Sequence, residues 1–200
     1  MRKTVLATLA VALASAAVPS AAGARTGVSV EPTGTTFTMA TTTETGLGSD
    51  IDCTMTLAKT LHSRISKVLG ALIGTTSITI NTDRCTGGNM GLLVGGRRVT
   101  GAQGPYHLTY RSFSGTLPNI TAITRRLNDI TLWVSQEVFI QCLTSGAVDI
   151  DIVTTGGNPV TGGRAAAQAL PVTGSFECPV VSVTFSGTGS QSPSVRMTLF

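Results

Sequence analysis

Leu57-Ala58-Lys59-Thr60-Leu61-His62-Ser63-Arg64-Ile65-Ser66-Lys67-Val68-Leu69-Gly70-Ala71-Leu72 is the stretch on which the fold class turns. Leu57, Leu61, Ile65, Val68, Leu69 and Leu72 recur at helical spacing, and Lys59, Arg64 and Lys67 then take the wet side. Periodicity alone supports an amphipathic helix from Leu57 to Leu72. Gly70, Gly74 and strand-like flanks on both sides oppose it. We read a β meander here and keep the helix as the alternative. Upstream, Ile51, Cys53, Met55 and Leu57 alternate with Asp52, Thr54 and Thr56, the clearest strand pattern in the chain. Before it, Thr35 to Thr43 alternates Phe37 and Met39 with threonines. Downstream, Ser77 to Asn81 reads as a short strand. Thr86 to Thr100, with its glycines and Arg97-Arg98, reads as a loop around a short Leu92-Leu93-Val94 strand.

The middle of the chain, Pro105 to Thr121, concentrates aromatic mass in a protein with little of it. Tyr106, Leu108 and Tyr110 share one side of an extended chain, and His107, Thr109, Arg111 and Phe113 share the other. A Ser-Gly turn at Ser114-Gly115 and a strand opened by Leu117-Pro118 follow. Ile120 to Leu127 is a strand, Asn128-Asp129 a turn, and Ile130, Leu132 and Val134 the next strand, with Trp133 on its opposite side. Val138, Ile140 and Cys142 continue the pattern. Val148, Ile150 and Ile152 then alternate with Asp149 and Asp151. Thr154 to Arg164 reads as a Gly-rich loop, and Gly174 to Cys178, Val180 to Phe185 and Val195 to Leu199 as closing strands. Many short strands between turn signals predict an all-β protein, a β-sandwich of about ten strands.

Residues 1–24 read as a secretory signal peptide. Arg2 and Lys3 lead an apolar run from Val5 to Val18, and Ala22-Gly23-Ala24 is a small-x-small cleavage site. Residues 25–34 then form a flexible mature N-terminus and 35–200 a single domain. Removing the signal leaves 12 basic against 10 acidic residues, a net charge of +2 rather than +4. Arg97-Arg98 and Arg125-Arg126 are isolated pairs, read as solvated loop or edge-strand arginines, and nucleic acid is not an expected partner. No later stretch is long and apolar enough to span a bilayer. Low charge and abundant Thr, Ser and Gly suit an extracellular β protein and leave surface association or self-association open.

Four cysteines, Cys53, Cys85, Cys142 and Cys178, in an exported chain imply two disulfides. Of the three pairings, Cys53–Cys85 and Cys142–Cys178 are favoured, because each brackets strand-like segments. Each would contribute roughly 3–4 kcal/mol by loop closure. Their wide spacing and the lack of nearby histidines disfavour zinc, and no metal or cofactor is expected.

The candidate chemistry is thin. His107 has Ser112 and Ser114 near it in sequence, but no Gly-x-Ser-x-Gly elbow surrounds them. The pairs Asp50/Asp52 and Asp149/Asp151 each put two carboxylates on one side of a strand. Outer faces opposite apolar sides explain them more simply than calcium does. Leu170-Pro171-Val172-Thr173-Gly174 matches the pattern that sortases cleave, yet no apolar span and basic tail follow it, and a turn is the simpler reading. The terminal Phe200 suggests a membrane barrel, but the alternate residues Thr198, Arg196 and Ser194 are no lipid-facing row. Trp133, Tyr106 and Tyr110, with His107, are the candidate ligand-binding residues, Trp133 for its position opposite the apolar side of its strand.

The Thr-Thr-Phe-Thr-Met strand, Cys-Thr-Met-Thr-Leu at Cys53 to Leu57, and Gly-Pro-Tyr-His-Leu-Thr at Gly104 to Thr109 together resemble small uncharacterised exported bacterial β proteins. More loosely, the layout is similar to secreted exoproteins of the alkane-oxidation activator type. Pro105 and Tyr106 stand where that family more often has Leu-Pro-Trp. The resemblance implies an amphiphilic all-β protein, released or surface-associated, with no catalytic residues to carry over. The expectation is a non-enzymatic secreted protein acting at the cell surface, in extracellular matrix or at an apolar interface. Its partners would be cell envelope, matrix polymer or an apolar surface. A carbohydrate- or ligand-binding module is the alternative, and a secreted hydrolase a third reading.

Overall fold

Alternation between threonine and apolar residues sets two faces along almost every strand, and only one face is buried. On β2 (Gly34–Glu44) Thr35, Phe37, Met39, Thr41 and Thr43 are buried, and on β3 (Ile51–Leu61) so are Ile51, Cys53, Met55, Leu57, Lys59 and Leu61. The structure is a computed structural model that describes residues 27–46, 48–116, 119–136, 141–153, 160–176 and 178–199. The expected signal peptide at residues 1–24, Leu117-Pro118 and the expected strand at Val138 and Ile140 lie outside the described residues.

The remaining strands are β1 (Gly27–Glu31), β4 (Arg64–Ser66), β5 (Leu72–Thr86), β6 (Asn89–Val94), β7 (Arg97–Val99), β8 (Gln103–Thr116), β9 (Asn119–Ser135), β10 (Gln141–Val153), β11 (Val160–Phe176) and β12 (Ser182–Leu199). The antiparallel order β2-β3-β5-β8-β9-β10-β11-β12 returns to β2, so eight strands close into a barrel, with β1, β4, β6 and β7 outside the ring. The expected β-sandwich is therefore wrong. A sandwich and a small barrel share the same alternation, and the difference lies in whether the sheet's edges meet. Here β9 pairs with β8 on one side and with β10 on the other, from Ser135↔Gln141 to Ala122↔Val153, and no edge is left in the ring. The strands are also longer than expected, 11 to 18 residues within the ring.

The helical alternative for Leu57 to Leu72 also fails, and no helix occurs among the described residues. Leu57, Leu61 and Ile65 are buried through strand alternation in β3 and β4, whereas Val68, Leu69 and Leu72 stand 60%, 65% and 47% exposed around the connection into β5. Within the stretch expected to be a flexible terminus, β1 pairs with β4 and with the end of β12, and Val28, Val30 and Ile65 join the core. Asn128-Asp129 is not a turn but a bulge inside β9. Leu127 pairs with Val148 and Ile130 with Gly146, so two residues oppose Ala147, and Asp129 takes φ 57°. The extra residue shifts the strand's parity, so that Arg125, Leu127, Ile130 and Leu132 are all buried. The Leu170–Gly174 stretch is not a loop either. It runs within β11, Val172 opposite Thr144 and Pro171 opposite Ser182.

Outward faces carry Thr36, Thr38 and Thr42 on β2 and Asp52, Thr54 and Thr56 on β3, while the inward faces are mainly apolar. That is the reverse of a membrane barrel, whose outer band is apolar. No helix among the described residues is long and apolar enough to cross a membrane.

Cys53–Cys85 and Cys142–Cys178 are both bonded as favoured, and two disulfides are consistent with an oxidising compartment. The first pins an irregular end of the β3–β5 ladder. Thr54 pairs with Asn81 but Asp52 with Thr86, so four β5 residues face one β3 residue. Replacing Cys53 and Cys85 together by Ala is expected to cost about 3 kcal/mol in denaturant unfolding. Amides from Thr82 to Thr86 should lose exchange protection first.

Candidate functional site

Sequence parity places two cations where apolar residues belong. Lys59 lies in the inward series Met55, Leu57, Lys59, Leu61, and Arg125 in the series Ile123, Arg125, Leu127. Both are buried, Lys59 at 3% and Arg125 at 1% exposure. β3 and β9 are separated in the ring by β5 and β8, so the two side chains enter the lumen from well-separated walls. Arg125 is close enough to depress the Lys59 pKa by repulsion.

Around them the register assembles a polar patch. Lys59 pairs with Thr35 on one side and Thr76 on the other, and Thr76 pairs in turn with Tyr106. Phe37 pairs with Gln191, and Arg125 with Tyr110 and Ile150. Lys59 Nζ sits 4.2 Å above the centre of the Phe37 ring, a cation–π contact. Two glycines on the neighbouring strands, Gly187 of β12 and Gly163 of β11, make room for this ring and its neighbour. A Cβ on Gly163 would meet Phe37 at 3.2 Å, and one on Gly187 would meet Met39 at 2.8 Å.

Thr76 is satisfied, its hydroxyl donating to the Ala58 carbonyl at 3.1 Å. Lys59 Nζ, the Nε, Nη1 and Nη2 of Arg125, both amide atoms of Gln191 and Thr35 Oγ1 have no hydrogen-bond partner among the described residues. No described carboxylate is buried, and Glu137 and Glu177 are not among the residues whose side chains are described. Two like charges are thus held in the barrel interior without a counter-ion among the described residues, an arrangement that costs several kcal/mol per ion.

Burial, and then Arg125, lower the Lys59 pKa well below its ordinary value of 10.5, and burial pushes Arg125 down to about 10. Arg125 therefore stays charged at neutral pH. A depressed folded-state pKa on a base means that the unfolded chain holds the proton more tightly. The cost is full below the folded-state pKa of Lys59 and fades as pH rises from there to 10.5. Thermal melts should accordingly show stability increasing from that pKa toward about pH 10, and Lys59→Met should flatten much of the rise.

The sequence candidates do not converge. Tyr106 is half-buried, and Tyr110 is buried opposite Arg125. Burial raises the pKa of both phenols. His107 is exposed on the outer face opposite Thr75. Trp133, expected to be exposed, is 8% exposed, packed against Gly91 of β6 and under Arg98 of β7, whose guanidinium carbon lies 4.3 Å from its ring centre. The other histidine, His62, is also exposed, so neither belongs to the buried polar patch. Asp149 accepts two 2.8 Å hydrogen bonds from Arg126, Asp151 accepts one from Thr124, and Asp52 one from Thr42. Among the described residues no group of His, Cys, Asp and Glu could hold a metal ion. A surface cleft of about 380 Å³, lined by Thr79 to Asp83 with Thr100 and Gly101, contains none of the candidates.

Lys59 and Arg125 went unrecognised in the sequence. Helical spacing puts Lys59 on the wet side of a possible helix, and the Arg125-Arg126 dipeptide reads as a solvated pair. Their signal was a charge on the apolar parity of a strand, for Arg125 confirmed only once the bulge at Asn128-Asp129 is known. No family model, curated protein or solved structure matches the chain.

Proposed function

We propose that this chain is an exported, non-enzymatic binding protein that carries a small amphiphilic molecule in the lumen of its barrel. The observation that carries the reading is the set of inward-facing polar atoms on Lys59, Arg125, Gln191 and Thr35 without partners among the described residues. Eight-stranded barrels have interiors that side chains just fill or that hold one small ligand. Unpaired polar groups in such an interior are the recognition elements of a binding site. The apolar remainder, Met39, Met55, Leu57 and Leu108 among it, suits the body of an amphiphile. Methionine side chains re-pack readily around a guest. Export is supported by the signal-like residues 1–24 and by the two disulfides.

Native mass spectrometry of the protein recovered from its own culture medium tests this. A small molecule that stays bound under native conditions and leaves on denaturation is expected. A bare chain that also binds no apolar fluorescent probe at one-to-one stoichiometry would remove the reading. Trp133 fluorescence is a poor reporter, because Trp133 packs between the β9 wall and the β6–β7 hairpin.

Action at an apolar interface is a second reading, favoured by the exposed Val68, Leu69 and Leu72. If it holds, Val68→Ser with Leu69→Ser should move the protein from a hydrocarbon–water interface into bulk water. Unchanged partition of that variant would count against it.

A further inference from the structure

Lys59 and Arg125 give the lumen a chemical preference that goes beyond binding in general. We propose that Lys59 and Arg125 form a built anion site, and that its ligand is an acidic amphiphile whose carboxylate sits between the ammonium and the guanidinium while its apolar body lies along the lumen. The inference rests on the reading of the lumen as a ligand chamber.

Three observations support it. The guanidinium has no hydrogen-bond partner among the described residues on any nitrogen, and its planar fork matches a carboxylate in a bidentate contact. The ammonium has Phe37 on one side and no described acceptor. The net charge of the patch is positive, because Thr35 and Gln191 bring neutral donors and acceptors and no described carboxylate is buried with them. One anion between the two cations cancels much of their repulsion and meets several unsatisfied donors together. A neutral ligand relieves neither charge, and a cation would add a third. The apolar body follows from the surroundings, with Met39, Met55, Leu57 and Ile78 on the inward faces of the strands beside Lys59.

A bound carboxylate also favours the protonated ammonium, so binding should take up protons wherever Lys59 is partly neutral in the empty barrel. Affinity should fall as pH rises through the Lys59 titration. A purely apolar chamber would show no such dependence.

The test titrates the folded, disulfide-intact protein with dodecanoate and with dodecan-1-ol at neutral pH, following heat of binding, for wild type, Lys59→Met and Arg125→Met. Dodecanoate is expected to bind wild type at least about tenfold more tightly than the alcohol. Each Met variant should weaken dodecanoate by about tenfold or more and so remove most of its advantage over the alcohol. Equal binding of the two, indifferent to both variants, would overturn the anion site and leave the ligand-chamber reading standing. Binding of neither would overturn both. Chloride and inorganic phosphate are titrated alongside. If they bind in a Lys59- and Arg125-dependent way while dodecanoate does not, the ligand is a small inorganic ion and the amphiphile is wrong. Melting of each Met variant confirms that it is folded before its affinity is read.

Discussion

Phe37→Ala is expected to lose about 4 kcal/mol of folding stability in denaturant unfolding, among the largest effects of any single substitution in this chain. The ring is wholly buried and reaches from β2 past β12 to the β11 part of the wall, where it comes close to Gly163. A glycine on that wall cannot fill the space that a missing ring leaves, so the full cavity cost should appear. The ring also faces the Lys59 ammonium at 4.2 Å. Its removal leaves a buried charge against an empty space, which should push the Lys59 pKa lower still. A double-mutant cycle with Lys59→Met separates the two contributions. Coupling of about 1–2 kcal/mol is expected if the cation–π contact is formed in a dry lumen. Strictly additive effects of the two substitutions would mean that Lys59 escapes to solvent.

Lys59→Met combined with Arg125→Met should act in the opposite direction and raise the stability of the empty protein by about 3 kcal/mol. Both side chains stand at buried positions with no hydrogen-bond partner among the described residues, and methionine keeps most of the volume while removing two mutually repelling charges. For a chain of this length the gain corresponds to roughly 6–12 °C in Tm. Each single variant should recover its own desolvation cost and all of the mutual repulsion, so the two single gains together should exceed that of the double variant. Adding dodecanoate should then raise the Tm of wild type and not that of the double variant, closing the gap between them. A double variant less stable than wild type without ligand would show that the cations have partners in the fold.

Local pattern was legible in this sequence and global closure was not. Ile51 to Leu57 announces a strand because threonine and aspartate alternate with apolar residues, and β3 follows that reading. The cysteine pairing was also accessible, because Cys53–Cys85 and Cys142–Cys178 tie together segments close in the chain. Closure depends on β9 meeting β10 along its whole length, and nothing in the composition of either strand distinguishes that from two packed sheets. The helical spacing of Leu57, Leu61 and Ile65 was coincidence: Leu57 and Leu61 are four apart, a multiple of the strand period as well as close to the helical one.

The candidate site was hidden for a related reason. Lys59 among threonines resembles a surface lysine until the parity of Met55, Leu57 and Leu61 is taken literally. Arg125 is masked further by its neighbour. Arg126, one residue on, faces outward and pairs with Asp149, so the dipeptide looks like a solvated pair although its two members lie on opposite sides of the wall. The bulge at Asn128-Asp129 then breaks the count from Ile130 back to Arg125, and a strict alternation carried backward assigns Arg125 to the outside. Aromatic residues drew attention instead, yet of the four candidates only Tyr106 and Tyr110 have the inward parity of the lumen.

Lysine titration by NMR shows whether Lys59 is held as a buried cation beside Arg125. Beyond residues 1–24 the chain has two lysines, Lys59 and Lys67, so selective carbon-13 labelling at the ε-carbon of a chain without residues 1–24 yields two signals. The signal that is shifted by the Phe37 ring and lost in Lys59→Met is predicted to titrate well below 10.5. On adding dodecanoate that titration should move upward. A Lys59 signal that titrates near 10.5, unmoved by dodecanoate, would contradict the buried cation pair and the ligand site built on it.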